Sequence, residues 1–174
     1  YMSVIGGGCQ NGAGSNVAFV GGGQSNAASG ACSAIAGGQG NGASGPWSTV
    51  GGGQGNGASG SHSTASGGQG NSSSGSRAMV GGGRNNTSSS NYTVVSGGLG
   101  NVSCGDVSTV SGGYSNVASG GRSFIGGGKS NSAPGFATVV AGGCSNTASG
   151  YLSTVGGGIN NTAGGQASTV SGGT

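Results

Sequence analysis

The stretch Asn56-Gly57-Ala58-Ser59-Gly60-Ser61-His62-Ser63-Thr64-Ala65-Ser66-Gly67-Gly68-Gln69-Gly70 runs straight into Asn71, where the same pattern begins again. Asparagine recurs at every fifteenth residue, at Asn11, Asn26, Asn41, Asn56, Asn71, Asn86, Asn101, Asn116, Asn131, Asn146 and Asn161. Counting the asparagine as slot 1, slots 12 and 13 are glycine in every copy, from Gly7-Gly8 to Gly172-Gly173. Slot 5 is glycine except at Ser15 and Ser90, and slot 3 is always Ala or Ser. Slot 10 carries the main apolar residue: Ile5, Val20, Ile35, Val50, Ala65, Val80, Val95, Val110, Ile125, Val140, Val155 and Val170. A fixed period of this length is the mark of a solenoid, in which each repeat is one coil stacked on the last. Such a chain has faces, ladders and two ends, and no pocket built where distant segments meet.

Slots 8 to 10, as in Ser108-Thr109-Val110, are rich in β-branched residues that suit a pleated surface. The glycines mark corners, where the backbone needs positive φ or a very close approach. The pattern predicts two short strands per coil, one through slots 8–11 and one through slots 1–4. The glycine load, about 1 kcal/mol per residue against alanine, excludes helix. Side chains alternate along a strand, so slots 8 and 10 face one way and slot 9 the other. Slot 9 holds Val4, Thr49, Met79, Phe19 and Phe124, a range of volumes that no tight interior accepts, so slot 9 faces out. The expected interior is thin: one Val or Ile, one Ala and one Asn per coil.

The slot 1 asparagine has two readings. It forms an inward ladder, each amide bonding to its copy one coil away, or it sits at a corner in left-handed conformation, which Asn tolerates. The ladder is favoured, because a mere corner would sometimes admit Gly or Asp and this one does not. The expectation is therefore an all-β fold, a β-solenoid or β-roll of about twelve 15-residue coils with glycine-rich corners and a thin Val/Ala/Asn core. At about 4.8 Å per coil the rod is roughly 55 Å long. Residues 1–174 read as a single repeat array. With no atypical capping repeat at either end, the expectation is a segment of a longer fibre or a unit stacked end to end.

With 49 Gly and 3% charged residues, the composition lies far from that of an average globular protein. Fixed phase over eleven asparagines argues against low-complexity disorder. A net charge of +3, scattered along the chain, offers no footprint for nucleic acid. No apolar run approaches the ~18 residues of a membrane helix, so membrane insertion is not expected. Cys9 and Cys144 share slot 14 nine coils apart, while Cys32 is in slot 7 and Cys104 in slot 4, so no internal disulfide is expected. Arg77, Arg122 and His62 fall in slot 7, Arg84 and Lys129 in slot 14, Asp106 in slot 6. One Asp, one His and no Glu cannot supply a carboxylate pair, a triad or a metal cluster. The chain is expected to be no enzyme, with no catalytic residue, cofactor or metal.

The aromatics occupy outward or corner slots: Tyr1, Phe136 and Tyr151 in slot 6, Trp47 and Tyr92 in slot 7, Tyr114 in slot 14, Phe19 and Phe124 in slot 9. Of these, Trp47, Tyr92, Tyr114, Tyr151, Phe19 and Phe124 are candidate surface contacts, able to stack on a sugar or seat against a partner chain. Triplets of the N-x-S/T type at Asn71, Asn85, Asn86, Asn91, Asn101 and Asn160 follow from the repeat itself.

The alternation of S-T-V-x-G-G with N-x-A-S-G, as over residues 108–120, resembles the head repeats of trimeric autotransporter adhesins and the related repeats of phage tail fibres. Those heads repeat at about fourteen residues, against fifteen with a double glycine here. The resemblance implies a left-handed β-roll, three parallel chains, an extracellular or virion-surface setting and adhesion. Two functions follow as expectations. One is a structural fibre or adhesin shaft whose partners are copies of itself, lateral or end to end, with surface glycan or host-surface contact. The other is an ice-binding solenoid using outward Thr rows such as Thr49, Thr64, Thr109, Thr154 and Thr169, opposed by Phe19, Met79 and Phe124 in that same row.

Overall fold

The structure, a computed structural model, describes residues 2–174; Tyr1 lies outside the described residues. Twenty-three strands of two residues each alternate between two parallel sheets, one of twelve strands and one of eleven. The first sheet collects slots 9–10 of successive coils, such as Thr64–Ala65 and Met79–Val80, and the second collects slots 2–3, such as Gly57–Ala58 and Ser72–Ser73. Every pairing is parallel and shifted by one repeat, Thr64 opposite Met79 and Ser72 opposite Thr87. The chain is a β-solenoid, and like lies over like.

The strands are shorter than the four slots the sequence suggests, and a third ladder joins the two sheets. Slot 14 residues form single-residue parallel bridges from Cys9 and Gln24 through Gln39, Gln54 and Gln69 to Cys144 and Ile159. One residue per coil carries no alternation, so the pattern that reveals a strand is absent there. Along all three lines the backbone N–H groups donate to the next coil, Thr64 N to Ala78 O at 2.9 Å, Gly57 N to Asn71 O at 2.8 Å and Gln69 N to Gly83 O at 3.0 Å.

The interior holds what alternation demands, with one addition. Slot 10 side chains from Val20 to Val155 are fully buried, as are the slot 3 alanines from Ala28 to Ala148. Slot 8 joins them: Ala18, Ser33, Ser48, Ser63, Thr93, Ser108 and Thr138 are buried, so the core is less apolar than Val, Ala and Asn alone. Thr93 Oγ1 donates to Ser90 O at 2.6 Å and Thr138 Oγ1 to Gly135 O at 2.9 Å. The slot 5 carbonyl thus serves slot 8 where that slot is threonine, whereas the Oγ atoms of Ser33, Ser48 and Ser63 are buried without a hydrogen-bond partner. Two expected core residues depart from the pattern. Ile5 is 46% exposed and Val170 only half-buried, because each slot 10 side chain is sealed by its copies on both neighbouring coils and these have one neighbour.

The glycines divide by cause. At slot 13, Gly68 has φ +86°, and a Cβ there would overlap the Gly83 carbonyl and stand 2.8 Å from Asn71 Nδ2. At slot 5, Gly60 has no unusual φ; its Cβ would strike the carbonyl of Gly75 in the next coil. The expectation that left-handed corners are glycine fails at slot 7. Val17, Cys32, Trp47, His62, Arg77, Tyr92, Val107, Arg122, Ala137, Leu152 and Ala167 all have φ between 52° and 62°.

A Gly68→Ala variant should lose more than about 2 kcal/mol, from positive φ and overlap together. Gly57→Ala, whose Cβ meets nothing within 4 Å, should stay within about 0.5 kcal/mol of the parent. Urea unfolding of the two proteins checks the difference.

Candidate functional site

The inward ladder is the arrangement the asparagines adopt. From Asn26 to Asn146 all slot 1 residues are buried, while Asn11 and Asn161, with one neighbouring coil each, are half-buried. Left-handed conformation belongs instead to the preceding slot 15, at Gln10, Ser25, Asn85 and Asn160 among others. Asn86 shows the rung. Its Nδ2 donates to Gly82 O at 2.9 Å, closing the turn that enters the coil, and to Gly98 O at 2.9 Å in the turn that ends it. Its Oδ1 accepts the backbone N–H of Asn101 at 2.9 Å. Amide-to-amide bonds, the form the sequence suggested, are secondary: Asn41 Nδ2 to Asn26 Oδ1 at 3.1 Å and Asn116 Nδ2 to Asn101 Oδ1 at 3.2 Å. Two donors and one acceptor are needed at one buried point, and the Asn amide supplies that set where Asp and Gly do not.

Outside the ladder, each candidate contact residue is exposed, and the structure gathers several that look isolated in sequence. Slots 6 and 7 form one corner ridge along the rod. On it Trp47 and His62 stack with centroids 4.9 Å apart and planes 13° apart. Arg77 lies 5.3 Å over the Tyr92 ring and donates from Nη1 to the Tyr92 hydroxyl at 2.9 Å. Arg122 lies 5.3 Å over Phe136, which in turn stacks on Tyr151 at 5.6 Å and 7°. Asp106 Oδ1 accepts the Asn91 N–H at 3.2 Å. Slot 14 makes a second outer row, where Gln69 Nε2 donates to Gln54 Oε1 at 3.1 Å and Lys129 lies 5.9 Å from the Tyr114 ring centroid. These contacts were missed because residues were weighed singly. The signal was available: 47 and 62, 77 and 92, 136 and 151 are each one period apart.

The two sheets differ in relief. On the slot 9 face, Phe19, Met79 and Phe124 stand 44%, 41% and 39% exposed, the rings lying over Gly21 and Gly126, 3.5 Å from where a Cβ would stand. The slot 2 and slot 4 face carries nothing larger than Val102 and Val117. Among the described residues no pocket opens, no three His, Cys, Asp or Glu side chains gather, and no helix is long and apolar enough to cross a membrane. Cys9 and Cys32 are exposed and Cys104 and Cys144 half-buried, all as free thiols. Among known proteins, no family matches the chain and no curated protein is significantly similar to it.

Replacing Asn86 tests the rung. Asn86→Ala should cost about 2–4 kcal/mol, since the Gly82 carbonyl and the Asn101 N–H lose the Asn86 amide as partner and the Gly98 carbonyl keeps only the Arg84 N–H. Asn86→Asp should be as damaging at pH 7 but partly relieved near pH 4. A carboxylate facing two carbonyls in the interior has its folded pKa raised above the unfolded value of about 3.9. The native state then binds the extra proton, so stability falls as pH rises from about 4 through the raised pKa. Unfolding of both variants across pH measures it.

Proposed function

We propose that the chain is a non-enzymatic structural protein, a rigid shaft of an extracellular fibre or adhesin at a cell or virion surface, acting with copies of itself. The observation that carries this reading is the unbroken parallel register from Val4 to Val170, bonded coil to coil along three lines and pinned by the asparagine ladder. A body of this kind transmits length and orientation. Its interior is spent on stacking, and its titratable groups are few and exposed: His62, Arg77, Arg84, Asp106, Arg122 and Lys129. Electron microscopy and sedimentation at increasing concentration should show straight rods that associate. Rods that stay single at every concentration would remove the reading.

A second reading, ice binding, gains support from the slot 2 and slot 4 face. The bulky residues that oppose flatness lie on the other sheet, whereas Ser72, Ser74, Thr87, Ser89, Thr147 and Ser149 give small hydroxyl side chains at regular coil spacing. Thermal hysteresis at micromolar protein, abolished by Ser89→Tyr, is the expected result under that reading; no hysteresis in the parent protein eliminates it.

A further inference from the structure

The corner ridge of slots 6 and 7 carries a cost that the fold does not explain. Slot 15 is also left-handed and is filled by Gly, Ser, Asn or Gln, the residues that bear such a backbone most easily. Slot 7 has the same φ yet no glycine in any described coil, in a chain with 49 of them. A non-glycine residue there is strained, and a β-branched one is a true outlier. Stacking on the next coil accounts for Trp47, Arg77 and Arg122. It does not account for Val17, Val107 and Leu152, which are 59%, 53% and 50% exposed. Strained residues that gain little inside the chain point to a use outside it. The ridge also concentrates the side chains that dominate protein interfaces: the sole Trp, two of three Arg, and Tyr92 and Tyr151.

The order of side chains along the ridge is self-complementary when reversed. Numbering coils from Asn11 and taking the charged or larger of the two ridge side chains in each, the order is His62 in coil 4, Arg77 in 5, Tyr92 in 6, Asp106 in 7, Arg122 in 8, Phe136 in 9, Tyr151 in 10 and Gln166 in 11. A two-fold axis between coils 7 and 8 sets Asp106 against Arg122 and Arg122 against Asp106. It also sets Tyr92 against Phe136, Arg77 against Tyr151 and His62 against Gln166, each pair occurring twice, as an isologous contact requires. Moving the axis half a coil either way places Asp106 on Asp106 or Arg122 on Arg122, so charge fixes the register. Asp106 is the only acid in the chain.

We propose that this ridge is a homophilic contact in which two copies meet antiparallel, held by reciprocal Asp106–Arg122 ion pairs and flanking aromatic and cation–aromatic pairs. Because the rings stack on one another along the axis, their faces are taken up by neighbouring coils and their edges are left for a partner, which suits a protein edge better than the face of a sugar. The strip is eight coils long, roughly 40 Å at the usual strand spacing. Its width of one or two side chains puts it below about 1,000 Å² of total buried area, in the weak and reversible class. Antiparallel shafts are those rooted in opposed surfaces, and many weak contacts along paired fibres would act together. The proposal deepens the fibre reading and rests on its self-association.

The test is a charge swap read by sedimentation velocity over a concentration series of the whole chain at low salt. The parent should dimerise, and Asp106→Arg or Arg122→Asp alone should weaken dimerisation at least tenfold. The double variant Asp106→Arg/Arg122→Asp should restore it, and unchanged circular dichroism and melting temperature show that the exposed replacements leave the fold intact. Ser76→Cys on one copy should crosslink to Leu152→Cys on another, and not to Ser61→Cys, with Asp106 and Arg122 left in place. Association that survives both single reversals, or a three-chain mass, overturns the ridge contact while leaving the fibre reading standing. A parent that never associates overturns both.

Discussion

Everything in this molecule depends on one amide per coil being fully hydrogen-bonded at one point. The Asn86 side chain closes the turn it follows through Gly82, holds the Gly98 carbonyl at the far end of its coil and accepts the N–H of the next asparagine. A buried amide left unsatisfied costs more than it contributes when bonded, so a rung is stabilising only if both neighbouring turns repeat its geometry. The requirement propagates. Glycine at slot 13 follows because a Cβ would stand 2.5–2.8 Å from the Asn Nδ2 in coil after coil while overlapping the next carbonyl. The stacking distance is then fixed, and with it the close approach at slot 5, where Gly60 lies against the carbonyl of Gly75.

That chain of consequences explains what the sequence discloses and what it hides. Slot 1 never varies because no other residue sets the same donors and acceptor at that reach, Gln carrying its amide one methylene further out, so the ladder is legible from Asn11 to Asn161 without coordinates. The inward facing of slot 10 and outward facing of slot 9 were legible for a similar reason, since buried volume is constrained and exposed volume is not. The slot 14 ladder was hidden. Gln39, Arg84, Leu99 and Tyr114 share only a backbone bond, which leaves no mark on side-chain choice. The left-handed corner at slot 7 was hidden more deeply, because residues such as Val107 and Trp47 are those that φ near 55–62° disfavours. Propensity pointed away from the truth there, and places where local preference loses are those where another demand is being met.

Periodicity also separates two kinds of information. Slots 1, 3, 5, 8, 10, 12 and 13 are nearly constant and specify the rod; slots 6, 7, 9 and 14 vary and specify what it presents. In a stacked array each coil touches only its neighbours, so a change in an outer slot stays local while a change in a rung is felt on both sides. The outer rows are therefore free to carry a message at little cost to the fold. Regular coil spacing turns the order of that message into distance, since residues one period apart, such as Trp47 and His62, become neighbours.

A rigid ruler changes what a weak contact can do. On a flexible chain, Asp106 and Arg122 would sample many separations, and matching several pairs at once would carry a large entropic cost. Here their axial offset is fixed by the same backbone bonds that fix the core, such as Arg122 N to Asp106 O at 2.8 Å. Pre-organisation of this sort lowers the cost of ordering, so a narrow strip with few charges can still discriminate register. Strain at slot 7 fits the same logic. The ladder holds the corner in a conformation its side chains disfavour, and the result is a row of bulky groups on the outermost edge of the rod, where glycine would have presented nothing.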